Sequence, residues 1–439
     1  MLTRRAFVSG LSAAAAAVPA WGWSPSVRVN GARLRRRLEG LSEFGRPPGG
    51  TFADGVSRTA YSDADVAGRR YTMGLMREAG LQPAIDPAGN IFGQRPGTDA
   101  ARKPILFGSH IDSVKGGGNF DGDVGSLSAV EVAQTLDERK IMTRHPLQVV
   151  IWAAEESNYG GGLSGSRAVA GLLEPGELDR IQEGVVKRDA VRKVGGDPDH
   201  YAEAQRVPGW FRCYLELHIE QGGKLDKAGI DIGVVEGIVS IDDYDVIIRG
   251  FANHAGTTPM NERKDALLAA AELVLAVREI VTGEPGAQVG TVGEMHVEPG
   301  APNVVPGVVK HTIDLRDLSS EKIARIAERI RVRADEIARA TGTEIEMVKT
   351  SHHEGANADS AIQQVIAAAA DGLGLRHTRL PSGAGHDAQS MARLGAMGMI
   401  FVPSVGGISH SPRELTSWDD VENGANVLLH TILALDAQP

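Results

Sequence analysis

The chain has 439 residues, of which 42% are hydrophobic and 23% charged, a composition typical of a globular protein long enough for two cores. Its formal charge of −10 argues against nucleic-acid binding, which usually needs a basic surface. Cys213 is the single cysteine, so no intrachain disulfide can form, and stability must come from packing and from any bound metal.

Residues 1–20 resemble a twin-arginine export signal. Arg4 and Arg5 precede the uncharged stretch VSGLSAAAAAVPA, in which Val18 and Ala20 are placed as at a cleavage site. The apolar stretch is shorter than the ~20 residues of a membrane-spanning helix, so an uncleaved anchor is the minor alternative. We therefore expect a periplasmic or otherwise exported protein without a stable membrane anchor.

The segment after residue 104 has the pattern of an α/β domain. An apolar run that ends in polar residues, PILFGSH, is followed by a stretch with helical spacing, GSLSAVEVAQTLDERK. The same strand pattern returns in LQVVIWAAEE and CYLELHIEQG, which also end in acidic or histidine side chains. Because ligands of α/β sheets bind at the carboxyl ends of strands, these ends predict a site.

From about residue 240 the pattern changes to that of a smaller α+β unit. The order is strand DYDVIIRG, helix KDALLAAAELVLAVREIV, strands AQVGTVGEMHV and GVVKHTIDLRD, helix SEKIARIAERIRVRADEIARAT and strand EIEMVKT. This βαββαβ order predicts a domain at 241–352, inserted between two parts of the larger domain at 30–240 and 353–439. We expect His352 and His353 in a solvated loop.

Five places in the chain carry side chains that could bind a metal ion. They are His110, Asp121, the pair Glu155 and Glu156, His218, and His410. A single His or Asp at a strand end is more often a turn residue or a hydrogen-bond partner, but five such places together favour a metal site. Imidazole and carboxylate ligands without cysteine are typical of a catalytic divalent ion. Adjacent residues of a strand point in opposite directions, so the paired glutamates need a bend between them if both face the site.

Eight motifs together resemble the amidase, hydantoinase and carbamoylase family of di-metal hydrolases, within the aminoacylase and carboxypeptidase superfamily. They are GSHIDSVKGGGNFDGDVG, AAEES, LELHIEQG, GFANHAGTTPM, APNVVPG, TIDLRD, PSGAGHDAQ and GISHSPRE. The family contains N-carbamoyl-L-amino-acid hydrolases, β-ureidopropionases and allantoate amidohydrolases, and the match covers nearly everything after residue 30. It implies an α/β exopeptidase-like catalytic domain, a mixed sheet flanked by helices, with the inserted domain as lid and dimerisation domain.

The resemblance also implies two divalent metal ions per subunit, Zn or Mn, with Co or Ni as alternatives. The implied ligands are His110, Asp121, Glu156, His218 and His410. Asp121 would bridge the two ions, and Glu155 would be the general base for a water between them. Asp112 is expected to hold the other ring nitrogen of His110. The glycines at 116–118 would give the loop room to fold Asp121 beside His110.

Further residues are implied to contact the substrate. His254 resembles the family histidine that stabilises the developing oxyanion, often from the partner subunit of a homodimer. Gln221, Asn303 and Arg316 resemble family substrate contacts, and a guanidinium suits a carboxylate. A surface charge at a strand end is the alternative for Arg316. The motif SGAGHDA contains two residues that either line the site or have a structural role, His386 and Asp387.

The implied reaction is hydrolysis of a linear C–N bond in an N-carbamoyl or N-acyl amino acid or a related ureido acid. An exported aminoacylase or peptidase with the same metal core is an alternative. A non-catalytic binding protein is another, although no expected ligand or base is missing. The family usually continues after the paired glutamates with Gly, a small residue, Arg and Phe, whereas this chain has Ser157, Asn158 and Tyr159 followed by three glycines. The particular substrate is therefore not implied.

Overall fold

A computed structural model of the chain describes residues 26–156 and 158–438. The α-helices are α1 Gly31–Leu41, α2 Asp63–Glu78, α3 Asp123–Glu138, α4 Ser164–Val169, α5 Lys187–Lys193, α6 Lys224–Ala228, α7 Ala266–Gly283, α8 Ser320–Thr341, α9 Ser360–Gly372, α10 Asp387–Met391 and α11 Trp418–Ala437. The strands are β1 Gln82–Ile85, β2 Ile91–Arg95, β3 Ile105–His110, β4 Leu147–Trp152, β5 Ile181–Gln182, β6 Val185–Val186, β7 Cys213–Ile219, β8 Ile232–Ile238, β9 Ser240–Arg249, β10 Asn253–His254, β11 Val289–Thr291, β12 Met295–Glu298, β13 Val304–Val305, β14 Val308–Asp317, β15 Glu344–His353, β16 Ala356–Asn357, β17 His377–Ser382 and β18 Met397–Val402. Short 3-10 helices cover Phe52–Asp54, Glu177–Asp179, Tyr201–Ala204, Met260–Glu262 and Val405–Gly407.

The larger sheet is mixed and contains nine strands. Its order is β1-β2-β4-β3-β7-β18-β8-β16, and β17 also pairs with β8. The central neighbours β4, β3, β7 and β18 are parallel, so their carboxyl ends meet at one edge. Alternate side chains enter two cores: Ile105 and Phe107 pack with α1, α3, α9 and α11, whereas Leu106 packs with α10. Burial on both faces explains why these strands read as continuous apolar runs.

The smaller sheet is separate and antiparallel. Its order is β11-β14-β9-β15, and β12 also pairs with β14. Helices α7 and α8 cover it, with Leu273 and Ile330 buried against Val246. The predicted α/β fold with a smaller α+β unit is thereby confirmed. The single strand predicted for AQVGTVGEMHV is wrong, because β11 and β12 pair with different parts of β14 and Gly293 lies in the break, where a side chain for strand packing is lacking.

The prediction of a loop at His352 and His353 is also wrong, although both residues are exposed, as predicted. Strand β15 continues to His353 because its register against β9 shifts after Lys349 and pairing then resumes. Nδ1 of His352 lies 2.6 Å from the Asp242 carboxylate, and His353 reaches the cavity described below. A bulge of this kind is not visible in the alternation of apolar residues.

The predicted export signal, residues 1–20, lies outside the described residues, so export stays a prediction from the sequence. Within residues 26–156 and 158–438, none of the helices has the length and apolar character needed to cross a membrane. The strands of the smaller sheet begin at Ser240 and end at His353, beside the predicted bounds of the inserted domain at 241–352.

A buried ion pair ties the start of α3 to the N-terminal part of the chain. The Arg58 guanidinium is fully buried and donates to the Asp123 carboxylate and to three backbone carbonyls. Burial raises the pKa of Asp123 to about 6, although Arg58 acts in the opposite direction. The second aspartate of the motif FDGD is therefore a structural residue that anchors the helix.

Arg58→Met should lower the free energy of unfolding by about 3–5 kcal/mol, because it leaves Asp123 buried without its partner. The measurement is urea denaturation followed by circular dichroism. Arg36→Met, on the exposed side of α1, is the control and should change stability by less than about 0.5 kcal/mol. Equal unfolding midpoints for the two variants would contradict the role given to Arg58.

Candidate metal centre

The candidate site lies where the carboxyl ends of four parallel strands meet. His110 is the last residue of β3, and His218 lies one residue before the end of β7. The paired glutamates follow β4, and His410 follows β18 after a loop. Asp121 comes from the loop between β3 and α3. The structure thus brings together all of the residues that the sequence predicts as ligands.

Asp121 lies between three histidines. Its Oδ1 is 3.2 Å from Nε2 of His218 and 3.5 Å from Nε2 of His110, and its Oδ2 is 3.5 Å from Nε2 of His410. The last nitrogen is also 3.5 Å from Oε1 of Glu156. Two groups of candidate ligand atoms result, each within 4.8 Å of one another: His110, Asp121 and His218, and Asp121, Glu156 and His410. The Asp121 carboxylate belongs to both.

His110 and His218 are oriented for metal binding. Nδ1 of His110 lies 2.9 Å from the backbone carbonyl of Asp112, and Nδ1 of His218 lies 2.9 Å from that of Ile219. A carbonyl partner assigns the proton to Nδ1, so that each Nε2 is an acceptor. Nε2 of His218 accepts a hydrogen bond from the Gly122 backbone N–H at 3.1 Å. The buried Nε2 of His110 has no hydrogen-bond partner among the described residues. An orphaned nitrogen beside carboxylates fits a divalent ion.

Asp112 acts differently from the prediction. Its backbone carbonyl holds His110, while its carboxylate stays 3.8 Å from Nδ1 of that histidine. The carboxylate instead accepts hydrogen bonds from the backbone N–H groups of Glu155 at 3.2 Å and Glu156 at 3.1 Å. Ala154, just before them, has a left-handed φ of 54°. These features bend the chain after β4, so that both glutamates line the cavity.

Two glycines and a buried glutamate hold Asp121 in position. Glu414 accepts hydrogen bonds from two consecutive backbone N–H groups, the second being that of Asp121, at 2.9 and 3.1 Å. A Cβ at Gly118 would lie 2.1 Å from the Glu414 carboxylate, and one at Gly122 would lie 2.4 Å from the His110 ring. Only glycine permits these approaches. Glu414 is a residue that the sequence reasoning missed, although it lies in the motif GISHSPRE.

Burial and crowding shift the pKa values of the site. Burial, together with neighbouring carboxylates, raises the pKa of Glu155 well above its usual value and that of Glu156 to about 7. Burial acts in the same direction on Asp121, but the imidazoles around it hold its pKa well below the usual value. A hydrogen bond to Asp121 is the main reason that the pKa of His410 is raised to about 9. Such crowding of buried carboxylates indicates a site that a cation completes.

A cavity of about 390 Å³ opens onto these residues, a size within the usual range for small-molecule sites. Glu155 lines it, with Oε2 at 3.7 Å from Nε2 of His110. No residue in the described part of the chain donates a hydrogen bond to the Glu155 carboxylate. Gln221 also lines the cavity, and its Nε2 donates to Oδ2 of Asp121 at 2.7 Å. The structure therefore places this predicted substrate contact directly at the metal ligands.

The other predicted substrate contacts lie outside this cavity. His254, in β10, and Asn303, in the turn before β13, are both exposed. Arg316, near the end of β14, pairs with Asp314 and donates from Nη1 to the backbone carbonyl of Gly383 at 2.9 Å. None of the three is among the described residues that line the cavity. Arg316 nevertheless reaches its rim, since the residue after Gly383 lines it.

His386 and Asp387 have different environments. His386 lines the cavity, with its ring centroid 4.4 Å from that of His218, as the sequence predicts. Burial, followed by the proximity of His218, lowers its pKa well below the usual value. Asp387 is fully buried, and burial raises its pKa well above the usual value. It is not among the described residues of the cavity wall, which favours the structural alternative.

The segment after the paired glutamates forms another part of the wall. Ser157 lies outside the described residues, and Tyr159 is buried with its ring edge-on to that of Tyr61 at 6.0 Å. Gly160–Gly162 line the cavity in its place. His353 lines it from the smaller sheet, a second residue that the sequence reasoning missed because it predicts a loop there.

Asp112→Ala should weaken the binding of divalent cations about 10–100-fold, the usual effect of removing a residue that orients metal ligands. The affinity can be measured by competition with a chromophoric chelator. Asp335→Ala, at an exposed position of α8, serves as the control. If Asp112→Ala bound cations as tightly as the control, the Asp112 carboxylate would not set the position of the glutamates.

Comparison with known proteins identifies the family. Residues 106–434 match the model of peptidase family M20/M25/M40. An N-carbamoyl-L-amino acid amidohydrolase of Geobacillus stearothermophilus is 40% identical over 93% of this chain and 99% of its own length. A ureidoglycolate hydrolase of Arabidopsis thaliana is 35% identical over 93% of this chain and 87% of its own length.

A solved structure extends the likeness to three dimensions. An amidase of the hydantoinase/carbamoylase family from Burkholderia multivorans is 35% identical, with a TM-score of 0.88, over 94% of this chain and 100% of the other. Identity at this level over nearly the whole length, together with the shared fold, shows the family. The chain belongs to peptidase family M20/M25/M40 and, within it, to the hydantoinase/carbamoylase amidases, which makes it an amidohydrolase of linear C–N bonds.

Proposed function

We propose that the protein hydrolyses the C–N bond between a carbamoyl or acyl group and the nitrogen of an amino acid or related ureido acid. The observation that carries this proposal is the Glu155 carboxylate. It faces the cavity, accepts no hydrogen bond from residues 26–156 and 158–438, and lies beside two groups of candidate ligands that share Asp121. Relatives that are named N-carbamoyl-L-amino-acid amidohydrolase or ureidoglycolate hydrolase support this substrate class.

Two divalent cations fit the ligand sets. One would be held by His110, Asp121 and His218, and the other by Asp121, Glu156 and His410. Zinc or manganese suits imidazole and carboxylate donors, with cobalt and nickel as alternatives. Cations bound there would polarise the carbonyl of the substrate and lower the pKa of a water molecule.

Glu155 serves as base and then as acid. It takes a proton from the water as the new C–O bond forms, and it gives the proton to the leaving nitrogen as the C–N bond breaks. With a carbamoyl substrate the products are the free amino acid, carbon dioxide and ammonia. Glu174 also lines the cavity but is paired with Arg167, so Glu155 is the better candidate for this proton transfer.

The inserted domain would complete the site in a homodimer. Arg316, Asn303 and Gln221 would bind the substrate, and His254 would come from the partner subunit, since it is exposed and lies outside the cavity of its own chain. The same domain exposes large apolar side chains, which usually mark a covered surface. Examples are Phe251 at 63%, Met260 at 75% and Leu275 at 65% exposure.

Glu155→Gln should lower turnover of N-carbamoyl amino acids by on the order of 10²–10⁴-fold, because the amide cannot accept the proton. Two metal ions per chain should remain, as measured by mass spectrometry of the desalted protein. Glu43→Gln, on an exposed turn, is the matched control. Retained activity, or loss of metal, would show that Glu155 is not the base.

A wider set of substrates distinguishes the proposed carbamoylase reaction from the aminoacylase and peptidase alternatives. Ammonia and amine release should be followed for N-carbamoyl, N-formyl and N-acetyl amino acids, allantoate and dipeptides. Release from ureido substrates supports the proposed reaction. Release from acyl or peptidyl substrates alone would keep the proposed role of Glu155 and overturn the carbamoylase assignment.

His254 can be tested by complementation. We expect Glu155→Gln and His254→Ala to be inactive alone, whereas their co-expression should restore about a quarter of the wild-type activity, since half of the random dimers contain one intact site. The measurement is the specific activity of the whole purified population of dimers, compared with that of the wild type. If the mixture stayed inactive while the dimers formed, His254 would not act across the subunit interface.

A further inference from the structure

The cavity extends beyond the candidate metal ligands to a cluster of ion pairs that the proposed reaction does not use. Arg167 lines the cavity and contacts Glu174 at 3.2 Å and Glu177 at 3.0 Å. Glu174 also contacts Arg180, and Glu177 contacts the buried Lys187 at 2.5 Å. Three cationic and two anionic side chains therefore share one network with a net positive charge.

Three glycines leave this cluster open to the cavity. A Cβ at Gly161 would lie 3.7 Å from Nη1 of Arg167, and one at Gly160 would lie 3.9 Å from Nη1 of Arg180, with no other atom beyond the chain neighbours within 4 Å. A side chain at either position would stand beside a guanidinium. Because Gly160–Gly162 have none, a group of the substrate can approach Arg167 over their backbone.

The Arg167 side chain is held in place but retains donor capacity. It is only 15% exposed, and its Nη2 donates to the backbone carbonyl of Leu172 at 2.9 Å and to Glu177 at 3.0 Å. Nη1, which faces Gly161, has only a long contact of 3.5 Å with Glu177. A guanidinium carries five N–H donors, so Nη1 can still bind a carboxylate or carbonyl oxygen. Its fixed position lowers the entropy cost of that contact.

His353 adds a second polar group to the same cavity. Its side chain lines the wall from the end of β15 and forms no hydrogen bond or ion pair with any residue in the two described ranges. An imidazole without a partner can donate to an oxygen of a ligand. Two donors thus face the cavity in addition to the candidate catalytic residues.

We propose that Arg167 is a specificity-determining residue that binds a carboxylate or carbonyl oxygen at the far end of the substrate side chain, with His353 as a second contact. The proposal rests on the carbamoylase reaction proposed above and names its substrate class: N-carbamoyl or ureido acids that carry a second carboxylate or carbonyl group. An aliphatic side chain would remove water from Arg167 without replacing its hydrogen bonds.

The test compares two substrates that differ at the end of the side chain, N-carbamoyl-L-glutamate and N-carbamoyl-L-norleucine. We expect the wild-type ratio of kcat/KM to favour the glutamate by about tenfold or more, because a site that hydrogen-bonds its substrate rejects an analogue without the polar group. Gly161→Leu should reduce this ratio by about tenfold through the KM of the glutamate, since the leucine covers Arg167. The backbone accepts this change, because Gly161 is not among the positive-φ residues.

Gly74→Leu is the matched control, because a Cβ at this glycine of α2 would meet nothing within 4 Å, and it should keep the wild-type ratio. Arg167→Met should lower the ratio as Gly161→Leu does. If Arg167→Met does not fold, the ratio of kcat/KM measured for Gly161→Leu still tests the role of Arg167. A wild-type enzyme without the preference, or equal ratios for wild type and Gly161→Leu, overturns the role of Arg167.

Failure of the reaction and failure of the subsite can be told apart. If the metal-loaded wild type hydrolyses none of the ureido substrates of the panel above, these two included, the carbamoylase proposal fails, and calorimetric binding of N-carbamoyl-L-glutamate then tests the subsite. Binding to the wild type that is about tenfold tighter than to Gly161→Leu supports the subsite, since the lost contact is a charge-assisted hydrogen bond. Equal affinities overturn it.

Discussion

The convergence of three imidazole nitrogens on the Asp121 carboxylate is the constraint around which the site is organised. Each histidine lies at or beyond the carboxyl end of a different strand, so the three rings converge only because the strands run parallel and end at one edge. Asp121 is not part of a strand, and its loop must be held against that edge. Glu414 does this through two backbone N–H groups, while Gly122 permits the His110 ring to approach. The sheet supplies the histidines, and the loop supplies the carboxylate between them.

This arrangement is unfavourable without further compensation. Burial of an ion costs several kcal/mol unless partners replace its water, and the residues behind the site show how the chain provides them. Glu216 accepts hydrogen bonds from the Ser109 hydroxyl at 2.7 Å and the Ala388 backbone at 2.9 Å, and Asp112 accepts two from the bend after β4. Among the described residues, none donates a hydrogen bond to the Glu155 carboxylate, and its nearest cationic neighbour is the His110 ring at 3.7 Å. A buried carboxylate with so few partners is the kind of group that exchanges protons at functional sites.

The parts of the fold and site that depend on local pattern could be predicted from the sequence. Apolar runs that end in His or Glu mark β3, β4 and β7, and the carboxyl-end rule then brings their last residues together. Predictions failed where the decisive contact is distant in sequence or made by the backbone. Glu414 acts on Asp121 across 293 residues, and the contact of Asp112 with His110 uses a carbonyl that no residue type reveals.

Two predictions of strand boundaries were wrong for a related reason. The extension of β15 to His353 depends on a shift of register against β9, and the break between β11 and β12 depends on how both segments meet β14. The alternation of apolar and polar residues predicts which face of a sheet a residue occupies, but it does not predict where the register with a partner strand shifts. The consequence is functional here, since the extended end of β15 carries His353 into the cavity wall.

The departure from the usual family sequence after the paired glutamates can now be given a physical meaning. The bend that presents Glu155 and Glu156 depends on Ala154 and Asp112, which both lie outside the altered segment, so the loop can vary without altering the bend. Tyr159 turns into the core beside Tyr61, and glycines occupy the wall instead. Because glycines have no side chains, this part of the wall packs less tightly and leaves the residues behind it accessible from the cavity. In the proposed reaction, selectivity would therefore be decided by what lies behind the loop, while the candidate metal ligands stay the same.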